Sequence, residues 1–126
     1  MVVKQLRSAA RKGDALAQFR LGARYGRGQG VRFSTRIAVK WFRRSADQGN
    51  AWAQFFLGMH YANGCGVAQD LKEACRLYRL AARHGDSAAA SNLAALYACG
   101  RGVRRDYAQA RKWYQRAAEN RVVEAL

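Results

Sequence analysis

Three short stretches return in one register: "YGRGQGV" at residues 25–31, "YANGCGV" at 61–67 and "YACGRGV" at 97–103. A constant spacing of 36 residues separates them, which makes the glycine loop a repeated structural element. A phosphate-cradling loop would follow a strand and carry a spaced lysine signature, and neither is present. The same spacing aligns Ala17, Ala53 and Ala89, then Leu21, Leu57 and Leu93, then Tyr25, Tyr61 and Tyr97. It continues through Ala38, Ala74 and Ala110; Trp41, Leu77 and Trp113; Phe42, Tyr78 and Tyr114; and Ala46, Ala82 and Ala118. No insertion interrupts the register.

Within a unit, mostly apolar or small residues, with Gln18 among them, fall at positions 18, 21, 22 and 25 and again at 38, 41, 42 and 45. Both runs have the three-four spacing of a helix with one buried face. The sequence therefore predicts helices over about 15–26 and 35–47, with counterparts 36 and 72 residues further on. Asp70 with Glu73, and Asp106 with Gln109, have capping-box spacing, and Ser34 takes the same place in the first unit. Gly28, Gly64 and Gly100 fall just past the first helix, where a left-handed backbone favours glycine. Gly22, Gly58 and Ala94 are small enough for the two helices to approach, with Trp41 and Phe42, or Trp113 and Tyr114, filling the space beside them. Trp113→Ala is expected to lose stability, each such aromatic contributing about 2–3 kcal/mol by burial.

Length and composition agree with one helical domain. The 126 residues are half apolar, enough for a buried core. There is no proline and no apolar run long enough to cross a membrane, so no membrane span is expected. The opening "MVVKQLRSAARKGD" has no apolar stretch of the secretory kind. Together with three cysteines (Cys65, Cys75, Cys99) that form neither an even framework nor a zinc spacing, this favours reduced thiols and a cytoplasmic location. Prior removal of a signal peptide would instead place the protein in a periplasm or outside the cell.

The segment "AQFFLGMHYANGCGVAQDLKEACRLYRLAARHG", Ala53–Gly85, resembles the Sel-one-like repeat, a relative of the tetratricopeptide repeat, and the resemblance covers nearly the whole chain. The departures are Ser34 where the family pattern has aspartate, Leu77 for tryptophan and Ala94 for glycine. The resemblance implies an all-α fold, a right-handed α/α superhelical solenoid with first helices on a concave side and second helices on a convex side. It also implies adaptor, scaffold or regulator work without a cofactor or catalysis. Bacterial relatives include immunity proteins that neutralise toxic effectors, and periplasmic scaffolds.

The expected organisation is one domain, 1–126, of about three 36-residue repeats (13–48, 49–84 and 85–120) with partial units at both ends. Val2, Leu6, Ala9 and Ala10 share positions with Ala38, Phe42, Ser45 and Ala46, so residues 1–12 read as half a unit. "VVEAL" at 122–126 has the position of a new first helix, within a partial unit 121–126. Stacked repeats of this kind also admit end-to-end self-association.

Charge is organised by the same period. The chain carries a formal net charge of +15, and the part up to residue 63 holds twelve of the 23 basic residues against only Asp14 and Asp47. Lys4, Lys40, Arg76 and Lys112 share one second-helix position, with Arg7, Arg43 and Arg79 three residues further on. These form an expected convex basic stripe, read either as a solvated face or as a landing site for an anion or nucleic acid.

The concave side should present positions 16, 20, 23, 24 and 27 and their repeats, which vary between units. Variation on a constant frame marks the candidate partner-binding set: Arg20, Arg24, Arg27, Trp52, Phe56, Met59, His60, Asn63 and Asn92. Arginines beside aromatic and methionine side chains suit a protein with an acidic or mixed acidic and apolar segment. Trp52 and Phe56 read equally as anchors for that segment or as packing between units. With two histidines, His60 and His84, and no motif pairing a nucleophile with a base, neither catalysis nor a metal site is expected.

Overall fold

A computed structural model describes the backbone of residues 2–125 and the side chains of residues 2–122. Met1 and Leu126, the outermost residues of the two expected partial units, lie outside the described residues. Among those described, the regular elements are helices: α1 (Val3–Arg11), α2 (Ala15–Arg27), α3 (Thr35–Asp47), α4 (Ala51–Asn63), α5 (Leu71–Arg83), α6 (Ser87–Cys99) and α7 (Tyr107–Ala125). Helices α2 and α3, α4 and α5, and α6 and α7 pair as hairpins, while α1 on α2, α3 on α4 and α5 on α6 join each unit to the next. The helix pairs are those the period predicts, and their stacking is the α/α solenoid that the resemblance implies.

The helices start where the sequence places short polar side chains. Asp14, Asn50 and Asp86 accept from the backbone N–H of Ala17, Ala53 and Ala89, each at 2.9 Å. Ser34, Asp70 and Asp106 do the same for Ile37, Glu73 and Gln109 at 3.1 Å. Each such cap contributes about 1 kcal/mol. The first helices end on Gly64 (φ 66°) and its repeats, whose N–H reaches back to a carbonyl of the last turn, as from Gly64 to His60.

The second glycine of the loop has a different task. A Cβ on Gly66 would stand 2.7 Å from the carbonyl of Thr35, the first residue of α3, and one on Gly102 would collide with the carbonyl of Leu71, the first residue of α5. Each loop thus seats on the start of the preceding second helix, a backbone approach only glycine permits.

The core is a layer repeated along the axis. Leu21, Leu57 and Leu93 are fully buried, and Trp41, Leu77 and Trp113 lie beside them at 8% exposure or less. Two buried glutamines tie adjacent units: Gln18 Nε2 donates to the Ala10 carbonyl at 3.0 Å and Gln54 Nε2 to that of Ala46 at 3.4 Å. They engage carbonyls at the ends of α1 and α3 that also accept from the backbone N–H of Gly13 and Gly49, using the second lone pair of each oxygen.

The third unit departs from the expected register in two ways. Tyr114 is 47% exposed, whereas Phe42 and Tyr78, at the same position, are 3% and 4% exposed. Ala118 is likewise exposed, while Ala46 and Ala82 are buried. These residues face the side on which α4 covers Phe42 in the first unit.

The expected first helix at 122–126 is not a separate element either, because α7 runs unbroken to Ala125. The first two units turn at Gly49 (φ 91°) and Gly85 (φ 96°), and Arg121 occupies the third such position. A non-glycine residue disfavours that backbone conformation, so the helix continues.

Candidate functional site

Helices α2 and α4 lie side by side on the first-helix face, bridged by an aromatic cluster. Phe19 is its hub, with ring centroids 5.8 Å from Phe42, 5.8 Å from Trp52 and 5.5 Å from Phe56. Phe56 also stacks on Phe42 at 5.7 Å and 17°. Sequence reading missed Phe19. The usable signal was its register equivalence with Phe55, whose ring meets Tyr78 at 6.0 Å just as that of Phe19 meets Phe42.

Two adjoining cavities open on this face. The larger, of about 370 Å³, is bounded by Phe19, Phe56 and Leu6 and by Arg20, Arg24 and Arg27. The smaller, of about 210 Å³, is bounded by Phe42, Phe56, Met59, His60 and Arg27. Ala23, Arg27 and Phe56 form their common wall.

The structure therefore brings together six of the nine expected partner-binding residues: Arg20, Arg24, Arg27, Phe56, Met59 and His60. Trp52 joins them through Phe19 and is 57% exposed, whereas Phe56 is partly buried between the units. Phe56 thus packs between units while also forming the groove wall, and Trp52 stands open at the edge. Asn63 is exposed at the end of α4 and lines neither cavity. Asn92 is half-buried and lies beside the Tyr78 phenol.

Electrostatics of the groove follow from burial and helix direction. Arg24 and Arg27 sit in the last turn of α2, where the helix dipole favours cations. His60 is in the last turn of α4, its ring centroid 5.5 Å from that of Phe42 and its Nε2 buried without a hydrogen-bond partner. Burial holds its pKa below the usual 6.5, so the imidazole is neutral at physiological pH.

On the second-helix face the expected basic stripe divides in two. Lys4, Lys40, Arg76 and Lys112 are exposed in one row, with Arg76 Nε donating to Glu73 at 2.7 Å. Arg7, Arg43 and Arg79 instead reach the first helix of the next unit and donate to the hydroxyls of Tyr25, Tyr61 and Tyr97 at 3.3, 2.5 and 2.7 Å. They join repeats rather than lie in the open row, a pairing hidden because it spans 18 residues between helices of different units. Cys75 is buried and its thiol donates to the Arg101 carbonyl at 3.6 Å, whereas Cys65 and Cys99 are exposed free thiols. No helix among the described residues is long and apolar enough to cross a membrane.

Comparison with known proteins places this geometry. The family model of the Sel1 repeat matches residues 15–50, 53–86 and 87–121. Among solved structures, c5321, a protective antigen present in uropathogenic Escherichia coli strains displaying an SLR fold, is 41% identical over 94% of this chain, with a TM-score of 0.90. A Sel1 repeat protein from Oxalobacter formigenes is 38% identical over 84% of the chain, with a TM-score of 0.82. The chain spans 26% and 42% of the length of these two proteins. Helicobacter pylori cysteine rich protein B shares the fold at 22% identity, with a TM-score of 0.72 over 95% of this chain and 91% of its own. No curated protein matches the chain.

Proposed function

The chain belongs to the Sel1 repeat family, and from that premise we propose that it is a protein-binding adaptor or scaffold whose partner lies in the groove between α2 and α4. Sel1 repeats are protein-interaction modules, typically non-catalytic scaffolds. The observation that carries the groove assignment is Trp52, a 57% exposed tryptophan resting on Phe19 beside two cavities that share Arg27. A large aromatic held rigid at an open edge, with a guanidinium next to it, is the usual composition of an interface anchor.

Charge sets the character of the partner. Arg20, Arg24 and Arg27 line one cavity with no carboxylate among its lining residues, so the segment that enters carries acidic side chains between apolar ones. Neutralisation of a small acidic effector, the work of an immunity protein, fits this chemistry. The test is affinity capture with the partner identified by mass spectrometry. Trp52→Ala combined with Arg27→Glu is expected to abolish capture while far-UV circular dichroism stays unchanged, and undiminished capture rejects the groove.

A second reading has its own support in the exposed row Lys4, Lys40, Arg76 and Lys112. As an anion or nucleic-acid site this row would give binding that falls steeply with salt. Lys40, Arg76 and Lys112 changed together to glutamate would flatten that dependence, and a slope unaltered by the triple change removes the row from consideration.

A further inference from the structure

Positions 33 and 37 set the first unit apart from the other two. Gln69, the counterpart of Phe33, donates through Nε2 to the Ala62 carbonyl at 2.9 Å, and Glu73, the counterpart of Ile37, accepts from Arg76 Nε at 2.7 Å. The third unit has Arg105 and Gln109 in these places. Only in the first unit are both apolar, and both stand in solvent: Phe33 is 61% and Ile37 39% exposed.

Their backbone is fixed. Ser34 donates its N–H to the Tyr25 carbonyl at 3.0 Å and accepts the Ile37 N–H on its hydroxyl at 3.1 Å. The Phe33 Cβ closes on Gly28, where a side-chain carbon would stand 3.2 Å from it. An apolar pair is thus held outward at the start of α3, and neither residue lines the groove cavities.

Cations surround the pair. Arg32 precedes Phe33, Arg36 precedes Ile37, and Lys40 lies one turn further along the same face of α3. All three are exposed, and among the described residues none of them is in an ion pair. In the second unit Glu73 offsets Arg76, whereas Ile37 in the same place leaves Lys40 uncompensated. The one carboxylate on α3, Asp47, ends the helix 4.0 Å from Arg43.

We propose that this edge docks the protein on an anionic lipid surface. Phe33 and Ile37 enter the boundary between headgroups and acyl chains, and Arg32, Arg36 and Lys40 meet the headgroup phosphates. Projecting hydrocarbon flanked by cations on long apolar stems is the composition of an interfacial anchor. A nucleic acid would use the cations and stack a base on Phe33, but it offers Ile37 no apolar medium. A partner protein of acidic and apolar character already has a recessed site in the groove, whereas side chains that project suit a fluid layer that closes around them. The net charge of +15 draws the molecule toward such a surface from a distance.

The probe is the full chain floated with vesicles of phosphatidylcholine, either alone or with roughly one quarter phosphatidylglycerol. Phe33→Gln combined with Ile37→Gln installs the side chains that Gln69 and Gln109 supply at the equivalent places, so it keeps the fold and leaves the charge unaltered, which separates this site from the open row of cations. The expected result is binding to the phosphatidylglycerol vesicles that is about tenfold weaker or more on phosphatidylcholine alone, and about tenfold weaker in the double variant. Arg36→Gln should weaken it about fivefold, and Arg83→Gln, at the far end of α5, by less than about twofold.

Binding that the glutamine pair leaves unchanged would be adsorption by charge and overturns the proposal, as does equal affinity for the two vesicle types or none for either. Binding of single-stranded poly(U) that the same pair weakens would mark a nucleic-acid surface instead. Loss of protein capture by that pair with no vesicle present would mark a protein interface, and either result removes the lipid assignment.

Discussion

The Arg43 guanidinium donates to the Tyr61 hydroxyl at 2.5 Å and sits 5.3 Å from the centre of the same ring. One side chain thereby joins the second helix of one unit to the first helix of the next, and Arg79 repeats the arrangement on Tyr97 at 2.7 Å. Tyr61→Phe keeps the ring and removes the acceptor. Because Arg43 is 31% exposed, the loss should fall near the low end for a charged hydrogen bond, about 1–1.5 kcal/mol. Urea unfolding of Tyr61→Phe, Arg43→Met and the double variant measures the coupling, and additive effects would mean that the pair does not interact.

Helix approach within a unit makes a sharper prediction. A Cβ on Gly58 would stand 2.8 Å from the Tyr78 ring, so Gly58→Ala should destabilise by about 1–3 kcal/mol despite the better helix propensity of alanine. At the equivalent position of the third unit, Ala94 is already accommodated and Tyr114 lies largely outside. Ala94→Gly should therefore cost the propensity difference, about 1 kcal/mol, together with about 0.8 kcal/mol for the buried methyl group, with no relief of crowding. Thermal unfolding of the two variants separates crowding from propensity.

His60 gives the protein an acid sensitivity of known sign. Its pKa is lowered in the folded state by burial, so the unfolded chain binds more protons as pH drops through the usual value of 6.5. The stability associated with the neutral imidazole is complete above that value and is lost progressively below it. His60→Leu should flatten the stability profile between pH 6.5 and its lower folded pKa, as measured by unfolding midpoints in a pH series. An unchanged slope would show that His60 does not carry the effect.

The three thiols should differ in kinetics. Cys75 is 1% exposed, and burial pushes its thiol pKa up, partly offset by Arg79. Disulfide-exchange reagents should titrate Cys65 and Cys99 in the native protein and reach Cys75 only on unfolding. Three equivalents reacting at one rate would contradict the burial of Cys75.

The fold was legible because its determinants are local and repeated. Asp70, Gly64 and Leu57 state in one unit what Asp106, Gly100 and Leu93 state again, so each helix end and core position is read more than once. Less legible was anything set by contact between units. Arg43 looked like surface charge until Tyr61 stood beside it, and Phe19 attracted no notice although it gathers three other rings. The end of the third unit was subtler: the 36-residue register put a new first helix at 122–126, but Arg121 stands where Gly49 and Gly85 make the turn in the first two units. Six of the nine residues expected on the concave side line the two cavities, while Asn92 lies beside the Tyr78 phenol, a neighbour in another unit that no local pattern announces.

The loops seated by Gly66 and Gly102 constrain how such a chain changes in length. One extra residue inside α4 or α6 would rotate the rest of that helix by about 100° and carry its core positions out of register with the seat. Length is therefore expected to change inside the helices only by whole units of 36 residues, and elsewhere in the loops away from Gly66 and Gly102.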